Sequence, residues 1–219
     1  MCNVYVRGCT CCCSLPSSAS LTVAIAMRTS VLVFLQNGYI DTYLEKNKLL
    51  ENTQALLFFA VTAKGADPID GVTTVNPEGL TSVTGKHAED FKKRLDKLDL
   101  KCNVLSKGSY EKAMWEKLIW ICAYMLVGTA KDCASVGEAQ EKHGDVVKSL
   151  VGELAESVDG VTFDGGVMDR LAAYTDVVSN FPCAVKEFEW RNQAFYNKGC
   201  ALHDELLAEC EKKGKFTFP

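Results

Sequence analysis

Met114-Trp115-Glu116-Lys117-Leu118 opens the stretch that decides how this chain is read. From Leu118 to Ala130 the sequence carries no charge. That run is too short to span a bilayer but long enough for a helix buried in a protein core. Lys117 stands at its mouth. A lysine at such a border can pack its stem on apolar surface and hold its ammonium group over a pocket. Partial burial lowers its pKa and makes it a usable proton donor near neutral pH. The bland alternative is a lysine that caps the polar end of a buried helix and reaches to water. Pattern alone favours that alternative.

Upstream, Val31-Leu32-Val33-Phe34-Leu35 is a continuous apolar run of strand length, followed directly by Gln36-Asn37-Gly38. Such a run suits a strand buried on both faces. Asn37 then sits at its carboxyl end, where open α/β sheets bind ligands. A strand-ending Asn-Gly turn is the structural alternative. Asp41 to Asn52 reads as a short helix and Ala55 to Thr62 as a second strand. Val72 to Val75 and Leu80 to Thr84 flank Asn76-Pro77-Glu78-Gly79 as a hairpin. His87 to Leu98 is amphipathic, with Phe91, Leu95 and Leu98 on one face. Cys102 to Leu105 reads as a last short strand. After Ser109 the pattern is helical, with helices near 110–130, 144–158, 166–178, 184–196 and 200–213. Strands followed by helices suggest two segregated units.

Residues 1–29 read differently, as an unstructured or targeting-like segment rich in cysteine and serine. No acidic residue precedes Asp41. Leu21 to Met27 is at the short limit of a secretory apolar region. The domains expected are therefore 1–29, then 30–108 as a sheet domain, then 109–219 as an all-helical domain.

Composition sets outer limits. The 219 residues carry a formal net charge of −4, with 47% hydrophobic and 24% charged residues. This balance argues against nucleic acid or an anionic membrane as the main partner. Eleven cysteines, an odd number, are present. Cys9, Cys11, Cys12 and Cys13 cluster near Cys2, and the other six are scattered. This is the pattern of reduced, packed thiols. The cluster lacks the paired C-x-x-C spacing of a zinc site, so no metal is expected. His87 and His143 have no partner pattern. No G-x-x-x-x-G-K-[ST] loop is present.

The strand ending in Gln36-Asn37-Gly38, the Asn76-Pro77-Glu78-Gly79 turn and Trp115-x-Lys117-Leu118 on a helix resemble the ketopantoate reductase family. These are NADPH-dependent oxidoreductases (2-dehydropantoate 2-reductases, of pantothenate biosynthesis). The resemblance covers roughly residues 30 to 219. It implies an α/β plus all-α fold, a partial Rossmann-like sheet followed by a helical domain like that of 6-phosphogluconate dehydrogenase. It implies that Lys117 is the acid protonating a carbonyl oxygen as hydride reaches the carbonyl carbon. That oxygen gains negative charge in the transition state, which is why a cation is needed there. It also implies that Asn37 and Gly38 meet the NADP cofactor.

The family's substrate-holding serine and glutamate fall at Asn180 and Asn192, and two of its asparagines fall at Ile121 and Met125. Asn192 supplies no carboxylate. Glu187 or Glu189 would do so only in a slipped register, and Glu187-Phe188-Glu189-Trp190-Arg191 otherwise reads as a solvated face. No Gly-x-Gly-x-x-Gly precedes the first strand, so the expectation is a sheet lacking its first βαβ unit, in an N-terminally truncated member.

Two functions follow. The first is NADPH-dependent reduction of a 2-keto acid, the chain as it stands being either active or inactive. The second is a non-catalytic dimerisation or interaction module, with the apolar run 118–130 as core or subunit interface. The small-molecule substrate, a possible homodimer and a cytoplasmic or plastid location complete the expectations.

Overall fold

A computed structural model describes residues 3–6, 13–14, 32–60, 64–196 and 198–219. The readings of Leu21 to Met27 and of Cys2, Cys9, Cys11 and Cys12 lie outside the described residues. Within the segment 1–29, two strands are described, β1 (Asn3–Val6) and β2 (Cys13–Ser14). The chain divides into two compact units. One is Met1–Gly71 with Glu78–Ala113, and the other is Val72–Pro77 with Met114–Pro219.

The first unit is a partial Rossmann-like sheet. Its further elements are β3 (Leu32–Gln36), α1 (Asp41–Lys46), β4 (Thr53–Leu56), β5 (Ser82–Thr84), α2 (Ala88–Asp96) and β6 (Asn103–Val104). The strand order is β2-β1-β3-β4-β5-β6. β3 and β4 are parallel, with Val33 opposite Thr53 and Gln36 opposite Leu56. β5 joins β4 antiparallel, and β6 joins β5 parallel.

β3 forms where the apolar run predicts it. Leu32, Val33 and Phe34 are buried, as expected of an inner strand. α2 covers one face of the sheet, packing Ala88 and Leu95 with Val33, Ala55 and Val83. Its start is fixed at Gly85, whose φ is +105°; a Cβ there would come within 2.8 Å of the Thr53 Cα. The Thr53 hydroxyl accepts from the His87 amide at 2.9 Å, tying helix to strand.

Two strand expectations are corrected. The run Ala55 to Thr62 is not one strand: β4 ends at Leu56, and Ala60 pairs separately with Ile69. The expected hairpin is absent from the described residues. Asn76 donates its amide to the Thr73 hydroxyl at 2.8 Å, and Thr73 donates its own to the Asn76 carbonyl at 3.2 Å. This side-chain-stabilised turn competes with a ladder, and β5 pairs with β4 instead.

The second unit is helical. α3 (Lys107–Trp120) starts in the first unit and continues into it, followed without a break by a π-helical turn (Ile121–Met125) and α4 (Leu126–Ala130). Leu118, Ile119, Cys122, Ala123, Leu126, Val127 and Ala130 are all buried, so the uncharged run is core of its own chain. α5 (Val136–Glu156), α6 (Val167–Val177), the short α7 (Gln193–Tyr196) and α8 (Ala201–Lys212) surround it.

α5 begins well before the expected residue 144. Ser135 caps it, accepting from the Glu138 amide at 3.3 Å, and Glu138 reaches back to the Ala134 amide at 2.5 Å. This is close to a capping box. His143 carries non-helical angles inside α5 and marks a kink. The helix expected over 184–196 is not continuous. Glu187 has a left-handed φ of 51°, a 3-10 turn occupies Phe188–Trp190, and α7 follows. A left-handed residue interrupts an α-helix, which fits this break.

Candidate functional site

Lys117 belongs to the last turn of α3, in the helical unit. Its relative exposure is 5%, deeper than a residue at a helix border needs. Burial pushes its ammonium pKa down to about 7, and the Arg191 charge pushes the same way. Charge on a lysine is disfavoured by desolvation and by a like charge alike. A lysine in this state gives and takes a proton near neutrality, which suits it to general acid–base work.

The turn directly after Lys117 is the π-helix Ile121–Met125. Such bulges are rare and occur often at functional sites. The wider turn also alters the spacing by which Ile121 and Met125 are placed relative to Lys117. Ile121 is buried and apolar, so at that position no amide is available to hold a substrate. Behind this turn, the Trp120 indole donates to the Thr175 hydroxyl at 2.8 Å, and Thr175 donates on to the Leu171 carbonyl at 2.9 Å. Tyr174 packs edge-on against Trp120 at 4.8 Å. The buried face of α3 is thereby fixed in rotation against α6.

Glu116, next to Lys117 in sequence, serves a different partner. It takes Arg170 in a two-pronged pair, Oε1 to Nη2 at 2.5 Å and Oε2 to Nε at 3.0 Å. Arg170 also donates to the Gly165 and Asp164 carbonyls.

The segment 187–191 differs from its sequence reading. Glu187 and Arg191 form an ion pair at 2.8 Å, with side chains 30% and 18% exposed. Arg191 is therefore mostly buried, not on a solvated face, and its charge bears on both Lys117 and Cys122. Its Nε–H is buried and has no hydrogen-bond partner. The i, i+4 spacing of opposite charges in Glu187-Phe188-Glu189-Trp190-Arg191 was the signal available for this pair.

The other expected positions fall as follows. Asn180 is exposed, on the segment after α6. The Ser179 and Phe181 carbonyls on either side of it accept from the Gly137 and Val136 amides at 3.0 and 2.9 Å, capping the start of α5. Gly137 is needed for that approach, since a Cβ there would lie 2.9 Å from Ser179. Asn192 is buried, and its Oδ1 lies 3.0 Å from Nε2 of the buried His203. Burial lowers the His203 pKa, with Asp204 opposing. Glu153 accepts from the amides of Leu202 and His203, which anchors the start of α8. Nothing in the sequence singled out His203.

In the sheet unit, Asn37 and Gly38 follow the last residue of β3. Asn37 is exposed and Gly38 half-buried. Gln36, just before them, is buried and donates to Gln54 Oε1 at 2.8 Å and to the Tyr110 hydroxyl at 2.6 Å. This pins the end of β3 to β4 and α3.

A dinucleotide also needs backbone N–H groups converging on its pyrophosphate at a glycine-rich turn. The described turn from β3 to α1 does not fit that need. Asp41 stands at the first turn of α1, its pKa raised by burial and by Glu111. Negative charge there opposes a phosphate.

Among the described residues, no group of three or more His, Cys, Asp or Glu comes together as a metal site. Cys102, Cys122, Cys133, Cys183, Cys200 and Cys210 are free thiols. No helix of the described residues is long and apolar enough to cross a membrane.

No family model matches the chain, and no curated protein matches it. Its fold is similar to that of solved oxidoreductases. One is a PanE/ApbA-family ketopantoate reductase from Ralstonia eutropha, 15% identical, covering 88% of this chain and 72% of that one at a TM-score of 0.60. Another is a D-mandelate dehydrogenase in complex with NADH, 16% identical, covering 82% and 68% at a TM-score of 0.54. At such identities the likeness establishes the fold, a partial Rossmann-like sheet followed by a helical domain.

Proposed function

We propose that the protein is an oxidoreductase that reduces a 2-keto acid, with Lys117 as the general acid. The observation that carries this reading is the burial of Lys117, with its pKa near 7, on the core helix of a fold shared with two solved oxidoreductases. A nicotinamide cofactor, NADP in this proposal, supplies the hydride when bound. The turn after β3 would not hold its pyrophosphate; Asn37 and Gly38, exposed and half-buried there, are proposed contacts to its nicotinamide end alone.

Lys117 acts on the carbonyl oxygen. In its ammonium form it stabilises negative charge growing on that oxygen, in an environment where water screens little. It then transfers its proton, leaving the neutral amine that burial favours. Asn180, exposed beside the start of α5, is the proposed second contact to the substrate. Asn192 contributes by holding His203, and so the start of α8, in place.

The test is an assay of a panel of 2-keto acids with NADPH and with NADH, on wild type and on Lys117→Ala. Turnover by wild type that falls at least about a hundredfold in the variant supports the reading, since general acid catalysis contributes about 10²–10⁴. Full activity in the variant removes Lys117 from the mechanism.

A further inference from the structure

The segment after α8 turns back onto the helical unit and packs on the turn that leads to Arg191. Past α8 the chain passes through Gly214, left-handed at φ +66°. The Gly214 amide donates to the Glu211 carbonyl at 2.8 Å and the Lys215 amide to the Cys210 carbonyl at 2.9 Å, a Schellman ending. Lys213 donates to the Ala130 carbonyl and Lys215 to the Thr129 carbonyl. Both carbonyls belong to the last turn of α4, where cations are favoured. Beyond these lysines Phe216 and Phe218 are half-buried, and Thr217 between them is exposed. Such alternation is that of an extended segment packed on one side.

What the two rings pack on is Phe188. Its ring lies 5.2 Å from that of Phe216, 5.5 Å from that of Phe218 and 5.7 Å from that of Tyr196. Tyr196 in turn meets Phe218 at 5.2 Å. Phe188 opens the 3-10 turn between Glu187 and Arg191. Glu187 holds a left-handed φ of 51° there, and strain of this kind persists where the surroundings over-determine it. The same segment also meets the core helix. Phe195 packs edge-on against Trp115 at 5.9 Å, two residues before Lys117 on α3. Residues 188–196 are thus packed both against α3 and against Phe216 and Phe218.

We infer that Phe216 and Phe218 are positioning residues for the general acid: by clamping the Phe188 turn they keep Arg191 mostly buried and water away from Lys117. This rests on the reductase reading for the reaction that Lys117 serves, but not for the clamp itself. The alternative is a small aromatic core that adds stability and leaves Lys117 as it is. The two differ in a direction that can be measured. Releasing the turn lets Arg191 move into water or lets water reach Lys117. Either change relieves the burial and the like charge that disfavour the ammonium form, so Lys117 titrates higher.

The test follows lysine Cε labelled with carbon-13 by NMR as pH is varied. The proteins are wild type, Phe218→Ala, Phe218→Tyr and the double variant Phe216→Ala with Phe218→Ala, with folding checked by circular dichroism. The double variant is expected to raise the Lys117 midpoint by about one pH unit or more, well within what burial and a neighbouring charge can do. Phe218→Tyr, which keeps the ring, is expected to stay close to wild type. Should the double variant not fold, Phe218→Ala decides, with a smaller rise expected. A Lys117 midpoint equal to that of wild type in the folded variant overturns the inference, even where denaturant unfolding shows lost stability.

The two proposals fail separately. A raised midpoint in a protein that reduces no 2-keto acid removes the reductase reading and leaves the clamp. Lys117-dependent reduction, with the same Lys117 midpoint in wild type and variant, keeps the reductase reading and removes the clamp.

Discussion

Glu116 holds Arg170 with both carboxylate oxygens, at 2.5 and 3.0 Å, although Lys117 is its neighbour in the chain. Successive residues of a helix point in different directions, about 100° apart. Glu116 therefore joins α3 to α6, while Lys117 turns into the core. The pair is partly buried, each side chain 17% exposed. Arg170→Ala leaves Glu116 with no guanidinium and frees the Asp164 and Gly165 carbonyls. The expected loss is about 1.5–3 kcal/mol, the range for hydrogen bonds to charged groups. Urea denaturation of wild type and variant checks it.

Lys117 makes stability depend on pH in an unusual direction. Its folded pKa, near 7, lies below its ordinary 10.5. Between these values the unfolded chain binds more protons, so this term raises stability as pH rises. Below about 7 the full penalty of a buried charge is present; it fades as pH climbs toward 10.5. Lys117→Met is expected to be more stable than wild type at pH 6, with the advantage shrinking by up to about 1.4 kcal/mol per pH unit above 7. Denaturant midpoints at pH 6, 8 and 9 test this. An advantage that stays constant over that range contradicts a buried lysine with a lowered pKa.

The same residue sets the expected pH–rate profile. A general acid works only while protonated, so reduction of a 2-keto acid is expected to fall as pH rises through about 7. Arg191 lowers the Lys117 pKa as the second cause after burial. Arg191→Gln is therefore expected to move the falling limb to higher pH. Profiles of kcat against pH for the two proteins check the direction, and a shift to lower pH contradicts it.

Gly128 in α4 gives a packing test. A Cβ there would lie 2.2 Å from the Cys183 Sγ and 2.9 Å from its Cβ. Gly128→Ala is expected to cost about 1–3 kcal/mol, the usual cost of overpacking. Cys183→Ala in the same chain removes the closer contact and should recover part of the loss. A double variant no more stable than Gly128→Ala would show that the strain lies elsewhere.

Much of this architecture could be read from local pattern. The run Val31 to Leu35 reads as an inner strand because it is apolar throughout, and β3 forms there. Phe91 and Leu95 predict the sheet-facing side of α2 by spacing, but Leu98, read on the same face, lies beyond the helix end and is exposed. What escaped the sequence reading depends on partners distant in the chain. Leu80 to Thr84 has strand pattern, but nothing local says that β5 pairs with β4 and not with the segment before Asn76-Pro77. Gly137 and Gly144 weaken any helical reading of the first turns of α5. Yet Ser135-x-x-Glu138 is a start signal that was there to be used. The π turn after Lys117 leaves no mark in periodicity over so few residues.

The site was legible in part. Lys117 is legible from its place at the mouth of an uncharged run. Arg191 reads as part of a solvated face, because alternating charge looks the same whether a pair is in water or mostly buried. Burial is a tertiary property, and it separates Glu187 and Arg191 from ordinary surface pairs, which are worth little.

The protonation state of Lys117 decides whether it can serve as the proton donor. Lysine Cε labelled with carbon-13 can be followed by NMR from pH 5 to 11, with the Lys117 signal assigned by its loss in Lys117→Arg. A titration midpoint near 7, against the ordinary 10.5, is the expected result. A midpoint above 10 would mean that Lys117 stays charged and solvated, and would contradict its role as the proton donor.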